Sequence, residues 1–189
     1  MPVPGLWKPT RGQVAEAHGR TIPDVVGPGL RILFSGINPS LYSAAVGHHF
    51  ARPGNRFWPT LHTAGFTDRR VSPFEDRSLL DLGLGLTNVV ERATAAADEL
   101  SPGEFVEGGL LLERKVRRYR PKVVALLGIT AYRAAFGRPN ARIGLQPEFI
   151  ADTPLWVLPN PSGRNGHFTL LPFEELRRAT GQRTDRTGG

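Results

Sequence analysis

The chain contains no cysteine. That excludes disulfides, thiolate zinc sites, iron–sulfur clusters and cysteine nucleophiles in one step. No run of about 18 apolar residues is present, so no transmembrane helix is expected. The opening stretch, MPVPGLWKPTRGQ, has no apolar signal core, and the expectation is a protein that is not secreted. The Gly-x-x-x-x-Gly-Lys-Ser/Thr phosphate loop is missing, which argues against a phosphate-loop nucleotidase. What is there is a basic chain of 189 residues with a formal charge of +7. That length suits one domain with a real hydrophobic core. A basic surface attracts phosphate polymers and fits nucleic-acid binding.

The chain is organised around Leu30 to Phe50, LRILFSGINPSLYSAAVGHHF. Leu30 to Phe34 is a short apolar run between Pro28-Gly29 and Gly36, which predicts a buried strand. Gly36 allows a tight exit and close approach to a ligand. Pro39 fixes its own φ and biases Asn38 towards an extended backbone. The product is a rigid loop at the carboxyl end of a strand, where ligands bind in open α/β sheets. Asn38 offers an amide, Ser40 and Ser43 offer hydroxyls, and His48, His49 and Phe50 add two imidazoles and a flat ring. Such a set suits a planar polar ligand such as a nucleobase. The plainer reading is a turn in which Asn and Ser bond their own backbone.

The rest of the chain alternates strands and helices. Met1 to Gly29 is read as an arm with a short helix near Arg11 to His18. A helix is expected over Asn55 to Ala64, another around Pro73 to Leu80, and a strand over Gly85 to Val90. Ser101, Pro102 and Glu104 form a capping box ahead of a helix reaching Tyr119. Arg114, Lys115, Arg117 and Arg118 at its end are read as partners of the helix dipole. Lys122 to Leu127 is a strand, Thr130 to Phe136 a helix and Arg138 to Pro147 a loop. Leu155 to Leu158 is the last core strand and exits into Asn160-Pro161-Ser162-Gly163-Arg164-Asn165. Pro172 to Thr180 closes the domain, and Gly181 to Gly189 is expected to be a disordered tail. The pattern predicts an α/β fold with a short, mainly parallel central sheet flanked by helices in three layers. Both Asn-Pro-Ser loops then fall at one sheet edge, with their strands expected to be parallel neighbours.

Gly36-Ile37-Asn38-Pro39-Ser40 and Asn160-Pro161-Ser162-Gly163 resemble the two signature motifs of the mismatch-specific uracil/thymine-DNA glycosylases. Gly47 to Trp58, GHHFARPGNRFW, and Leu86 to Arg92, LTNVVER, are similar to that family as well. The resemblance runs from about Thr21 to Thr180 in the family's order and leaves the N-terminal arm outside. It implies a uracil-DNA glycosylase-like fold and excision of uracil, often also thymine or modified pyrimidines, from mispairs with guanine in double-stranded DNA. It implies base excision repair without a lyase step, metal or cofactor, by a monomer in the bacterial cytoplasm.

The resemblance assigns residues as well. Asn38 positions the attacking water, Phe50 stacks on the flipped base, and backbone groups around Ile37 and Ser40 line it. An amide is no strong general base, so the expectation is a slow enzyme that depends on orientation and on good leaving groups. Ser43 falls where the family places Ser or Ala near the base; its hydroxyl aids the site or caps a turn. Ser40 departs from the usual Gly. His49 contacts the base or packs the loop, and His48 is structural. Asn88 faces the pyrimidine's edge. Gly163, Arg164 and Asn165 match the wedge that fills the vacated stack and holds the guanine, with Arg164 departing from an apolar wedge. Asn160 and Ser162 brace that loop or bind phosphate, and Asn55 and Arg56 are candidates for backbone phosphate contact.

Two other readings stand beside this one. A non-catalytic binder of mismatched or damaged DNA on the same scaffold stays open, because Asn38 stands in place of a general-base carboxylate. A serine hydrolase built on Ser162 lacks the Gly-x-Ser-x-Gly elbow and an evident His and acid.

Overall fold

The computed structural model describes residues 7–182. Its elements in chain order are α1 (Arg11–Ala15), β1 (Ile32–Gly36), α2 (Leu41–Val46), α3 (Phe57–Thr63), a 3-10 segment (Pro73–Leu82), β2 (Leu84–Asn88), a 3-10 turn (Ala97–Glu99), α4 (Pro102–Tyr119), β3 (Val123–Leu127), α5 (Ile129–Phe136), β4 (Gly144–Ile150), β5 (Thr153–Leu158) and α6 (Leu171–Thr180).

The strands form one five-stranded sheet in the order β2-β1-β3-β5-β4. β2, β1, β3 and β5 run parallel, and β4 pairs antiparallel with β5 at the edge. β1 and β3 are short, mostly apolar runs, as strands covered on both faces require. Successive residues therefore serve opposite layers. Ile32 and Phe34 pack with Phe57, Leu61, Phe66 and Phe173 on one side. Leu33, Val124 and Leu126 pack with Leu112, Val116 and Tyr132 on the other. The expected three-layer α/β architecture is what the chain adopts.

Several expectations change. β1 and β5 are not neighbours, since β3 lies between them. They still run parallel, so both Asn-Pro-Ser loops leave the same edge of the sheet. Residues 144–147, expected in a loop, begin β4. Pro147 and the exposed Leu145 and Phe149 hid that strand, because Pro is tolerated only where an edge strand needs no ladder donor. The Lys115 ammonium serves no helix end: it lies 2.8 Å from Asp24 and 2.9 Å from Glu91, and donates to the Thr87 hydroxyl.

That lysine helps anchor residues 7–29 to the domain. Ala17, Ile22 and Val25 of this stretch are buried, and Val25 exchanges two backbone hydrogen bonds with Leu86 at 2.8 and 2.9 Å. At the other end Gln182 is buried and donates to the Leu82 carbonyl, so the expected tail does not start at Gly181. The remainder of that expectation, residues 183–189, lies outside the described residues.

Candidate active site

A cavity of about 620 Å³ opens at the carboxyl edge of the sheet. Gly36 and Leu127, from the ends of β1 and β3, line it, with Ile37 to Ser40 on one side and Asn160 to Arg164 on the other. The two loops meet over Gly128. A Cβ there would stand 2.9 Å from Ile37 Cδ1 and 3.9 Å from Asn160 Cβ, so only a glycine lets them approach.

The first loop is stitched to the chain that follows β2. Val89, Val90 and Thr94 donate backbone N–H groups to the carbonyls of Gly36, Ile37 and Pro39. Asn38 is fixed across the same seam. Its Nδ2 donates to the Arg92 carbonyl at 3.0 Å and to Thr94 Oγ1 at 2.8 Å. Thr94, 2% exposed, in turn donates its own hydroxyl hydrogen to the Ala96 carbonyl at 2.7 Å. The Thr94 oxygen can therefore only accept from Asn38, and the Arg92 carbonyl is an acceptor by nature. Both amide hydrogens are committed, and the amide has one orientation. Asn38 Oδ1 has no partner among the described residues, and Asn38 lines the cavity. Arg92 is itself clamped by Glu104, whose carboxyl is pulled down to about 2, first by that hydrogen bond and then by the Ser101 N–H.

Ser43 is 2% exposed and lines the cavity. Its hydroxyl accepts from the Ala51 N–H at 3.0 Å and lies 3.0 Å from Ser40 Oγ. Ser40 Oγ also accepts the Ser43 N–H, capping α2. These bonds fold residues 47–51 back onto α2 and bring Phe50 to the cavity. Phe50 holds a positive φ of 54°, a conformation costly for a bulky residue. Its ring lies 4.2 Å from the Phe57 ring, and its edge stands over Gly36, where a Cβ would come within 3.0 Å. Asn88 Oδ1 would be 2.5 Å from that same Cβ. Gly36 thus makes room for two other lining residues at once.

His49 is buried beside Asn88, and burial lowers its pKa below 6.5 despite the Pro23 carbonyl at 2.9 Å. His48 does not line the cavity; it pairs with Asp76 at 3.0 Å and leans on Phe74.

The second loop is braced from within and from α3. Asn160 Oδ1 accepts the Ser162 N–H, and Ser162 Oγ accepts the Arg164 N–H. Ser162 Oγ has no imidazole or carboxylate partner among the described residues, so the serine-hydrolase reading has no triad. Asn165 lies outside the cavity lining. Its amide donates to the Asn160 carbonyl and accepts the His167 N–H, so it holds the loop's shape. Arg56 likewise turns inward. Its guanidinium donates to the Ser162 carbonyl at 2.7 Å and to the Asn165 carbonyl, and stacks 4.4 Å over Phe168. It ties α3 to the second loop. Asn55 lines the cavity while its Oδ1 accepts the Phe57 N–H at the start of α3. Gly163 approaches the Gly54 carbonyl so closely that a Cβ would lie 2.9 Å from it. Arg52 and Arg164 are exposed and put positive charge on the mouth.

The cavity thus gathers Ile37, Asn38, Ser40, Ser43, His49, Phe50, Asn55, Asn88, Asn160, Ser162, Gly163 and Arg164, and leaves out Arg56 and Asn165. Thr94 and the Ala95 to Asp98 rim are additions that motif reading missed. The segment after Arg92 carries no pattern of its own, and only its pairing with Pro39 places Thr94 behind Asn38.

A short, mainly parallel sheet with a cavity between two loops at its carboxyl edge is an α/β architecture built to take a ligand at that edge. The uracil DNA glycosylase superfamily model matches residues 23–180, and the chain belongs to that superfamily. Its fold is similar to the solution NMR structure of a candidate uracil DNA glycosylase from Methanosarcina acetivorans. The TM-score is 0.59 at 19% identity, covering 86% of this chain and 98% of that one. Membership implies a hydrolase that removes a base from DNA. No described helix is long and apolar enough to cross a membrane.

Proposed function

We propose that this protein is a monofunctional glycosylase that hydrolyses the N-glycosidic bond of uracil mispaired with guanine in double-stranded DNA. Thymine and modified pyrimidines in the same mispair are further substrates. The observation that carries the reading is the Asn38 amide at the cavity wall, fixed by two donated hydrogen bonds that leave Oδ1 without a partner among the described residues. An oxygen so held can accept one hydrogen of a water and aim that water's lone pair at C1′ of an extruded nucleotide.

In that reaction the C1′–N1 bond breaks with its electron pair going to the base, while the water oxygen bonds C1′. The negative charge spreads over N1 and the ring carbonyls, and the water loses its proton to solvent. Asn38 is neutral and takes no proton itself. Rate therefore comes from orientation and from leaving-group quality, and the enzyme is slow. Phe50, beside Gly36 in the cavity wall, is assigned the stacking face for the base, worth about 1–3 kcal/mol. Arg164, which also lines the cavity, is assigned the wedge that enters the vacated stack, and its charge favours the DNA backbone.

The test is a duplex carrying one G·U pair, incubated with protein and then treated with alkali. Strand cleavage by wild type and a loss of about 10²-fold or more in Asn38→Ala, with DNA binding retained, supports the reading. Tight binding without base release supports the mismatch-binding alternative. Arg164→Ala is expected to weaken product binding and lower the preference for guanine; unchanged behaviour removes Arg164 from the wedge.

A further inference from the structure

Asn88 ends β2, 6% exposed, and lines the cavity beside Phe50. An amide there can turn its oxygen or its nitrogen to a ligand, and the two faces recognise opposite base edges. The neighbouring bonds decide which. Pro23 O lies 2.9 Å from His49 Nε2, and a carbonyl only accepts. Nε2 therefore carries the hydrogen. Burial disfavours the second proton, which leaves Nδ1 with a lone pair. Asn88 Nδ2 is 3.4 Å from Nδ1, and only an N–H satisfies a lone pair. The oxygen of Asn88 is then turned over Gly36, towards the cavity floor.

We infer that His49 is a positioning residue: its neutral Nε2–H tautomer, fixed by the Pro23 carbonyl, holds the Asn88 oxygen towards the ligand. This rests on the glycosylase reading for the identity of that ligand. The cavity then selects a base edge that presents an N–H, as uracil-type rings do at N3. Set against ring position 3, that oxygen opposes a cytosine-type ring, whose N3 is a second acceptor there.

The support reaches beyond the pocket. Pro23 is carried by the N-terminal stretch, and the adjacent Asp24 is bound by Lys115 and by the Thr87 hydroxyl, next to Asn88 in β2. The titratable groups facing His49 are Asp24 from that stretch, Asp76 from the 3-10 segment and His48 from its own loop. Asp24 is paired with Lys115 and Asp76 with His48, so neither contacts the imidazole nitrogens. From α3, Trp58 donates its indole N–H to the His49 carbonyl, and β2 contributes the uncharged Asn88. Protonating His49 would put an N–H at Nδ1, drive the Asn88 oxygen towards it, and reverse the edge offered to the base.

Two measurements test this, one independent of activity. Long-range proton–nitrogen correlation spectra of the histidine-labelled protein, with His49 assigned by its loss in His49→Phe, are expected to show the neutral Nε2–H form at pH 7. An Nδ1–H form, or an imidazolium, overturns the inference. The second compares single-turnover release of 5-fluorouracil and 5-fluorocytosine from duplexes pairing each with guanine, the fluorine improving both leaving groups. His49→Phe is expected to lower the fluorouracil-to-fluorocytosine ratio about tenfold, the scale of one hydrogen bond to a buried partner. The same substitution in an Asn88→Ala background is expected to leave the ratio unchanged, because its effect runs through that amide. A merely structural role lowers both rates together and keeps the ratio, which overturns the inference. Release of neither base by wild type sinks the glycosylase reading and the base-edge assignment with it. The tautomer result then stands or falls alone.

Discussion

Replacing Thr94 by valine keeps the shape of the side chain and deletes its hydroxyl. Two hydrogen bonds go with it, the one accepted from Asn38 Nδ2 at 2.8 Å and the one donated to the Ala96 carbonyl at 2.7 Å. Each is worth about 0.5–1.5 kcal/mol, so folding stability is expected to fall by about 1–3 kcal/mol. The larger effect is expected on rate. With one amide hydrogen unbound, Asn38 keeps only the Arg92 carbonyl and is free to pivot about that bond. A displacement near 1 Å of a group that aims a nucleophile costs up to about 10²-fold. Single-turnover release of uracil from a G·U duplex is therefore expected to drop between about tenfold and 10²-fold. It should be measured where urea titration shows both proteins folded. Thr94→Ser retains the hydroxyl and is expected to stay close to wild type. A Thr94→Val rate within about twofold of wild type would refute the claim that the hydroxyl fixes the amide.

Gly36→Ala is expected to fold but to lose base release by at least about tenfold. Its Cβ would press on Asn88 Oδ1 and Phe50, and a wild-type rate would show that the cavity floor gives way freely. Acid should loosen the seam behind Asn38. Glu104 has a folded pKa near 2 against an unfolded 4.5, so its contribution is fully present above 4.5 and disappears as pH falls through about 2. Urea midpoints of Glu104→Gln are expected to change less over that window than those of wild type, and parallel curves would refute the coupling. His49 acts at a higher pH. Its folded pKa lies below 6.5, so its neutral burial stabilises the fold above that value and is lost as pH falls through the depressed one. The acid-side loss of stability beginning under pH 6.5 is expected to shrink in His49→Phe.

The alternation of Ile32, Leu33 and Phe34 between two cores is written in a continuous apolar run, and so is the buried strand it makes. Gly36, Asn38 and Pro39 likewise specify a stiff turn by local rules alone, as do Ser101, Pro102 and Glu104 at the start of α4. Those features depend on neighbours along the chain, which is why they are legible in one dimension. Which atom of Asn38 meets the cavity is not, because it is settled by Arg92 and Thr94, more than fifty residues away. The inward turn of Arg56 towards Ser162 and Asn165 is hidden for the same reason, across separations of 106 and 109 residues. Residue types and turn chemistry determined that a loop with an amide would stand at a strand's end. Strand order and cross-chain hydrogen bonds decided what that amide points at, since a side chain's orientation is set by whichever groups the fold packs against it.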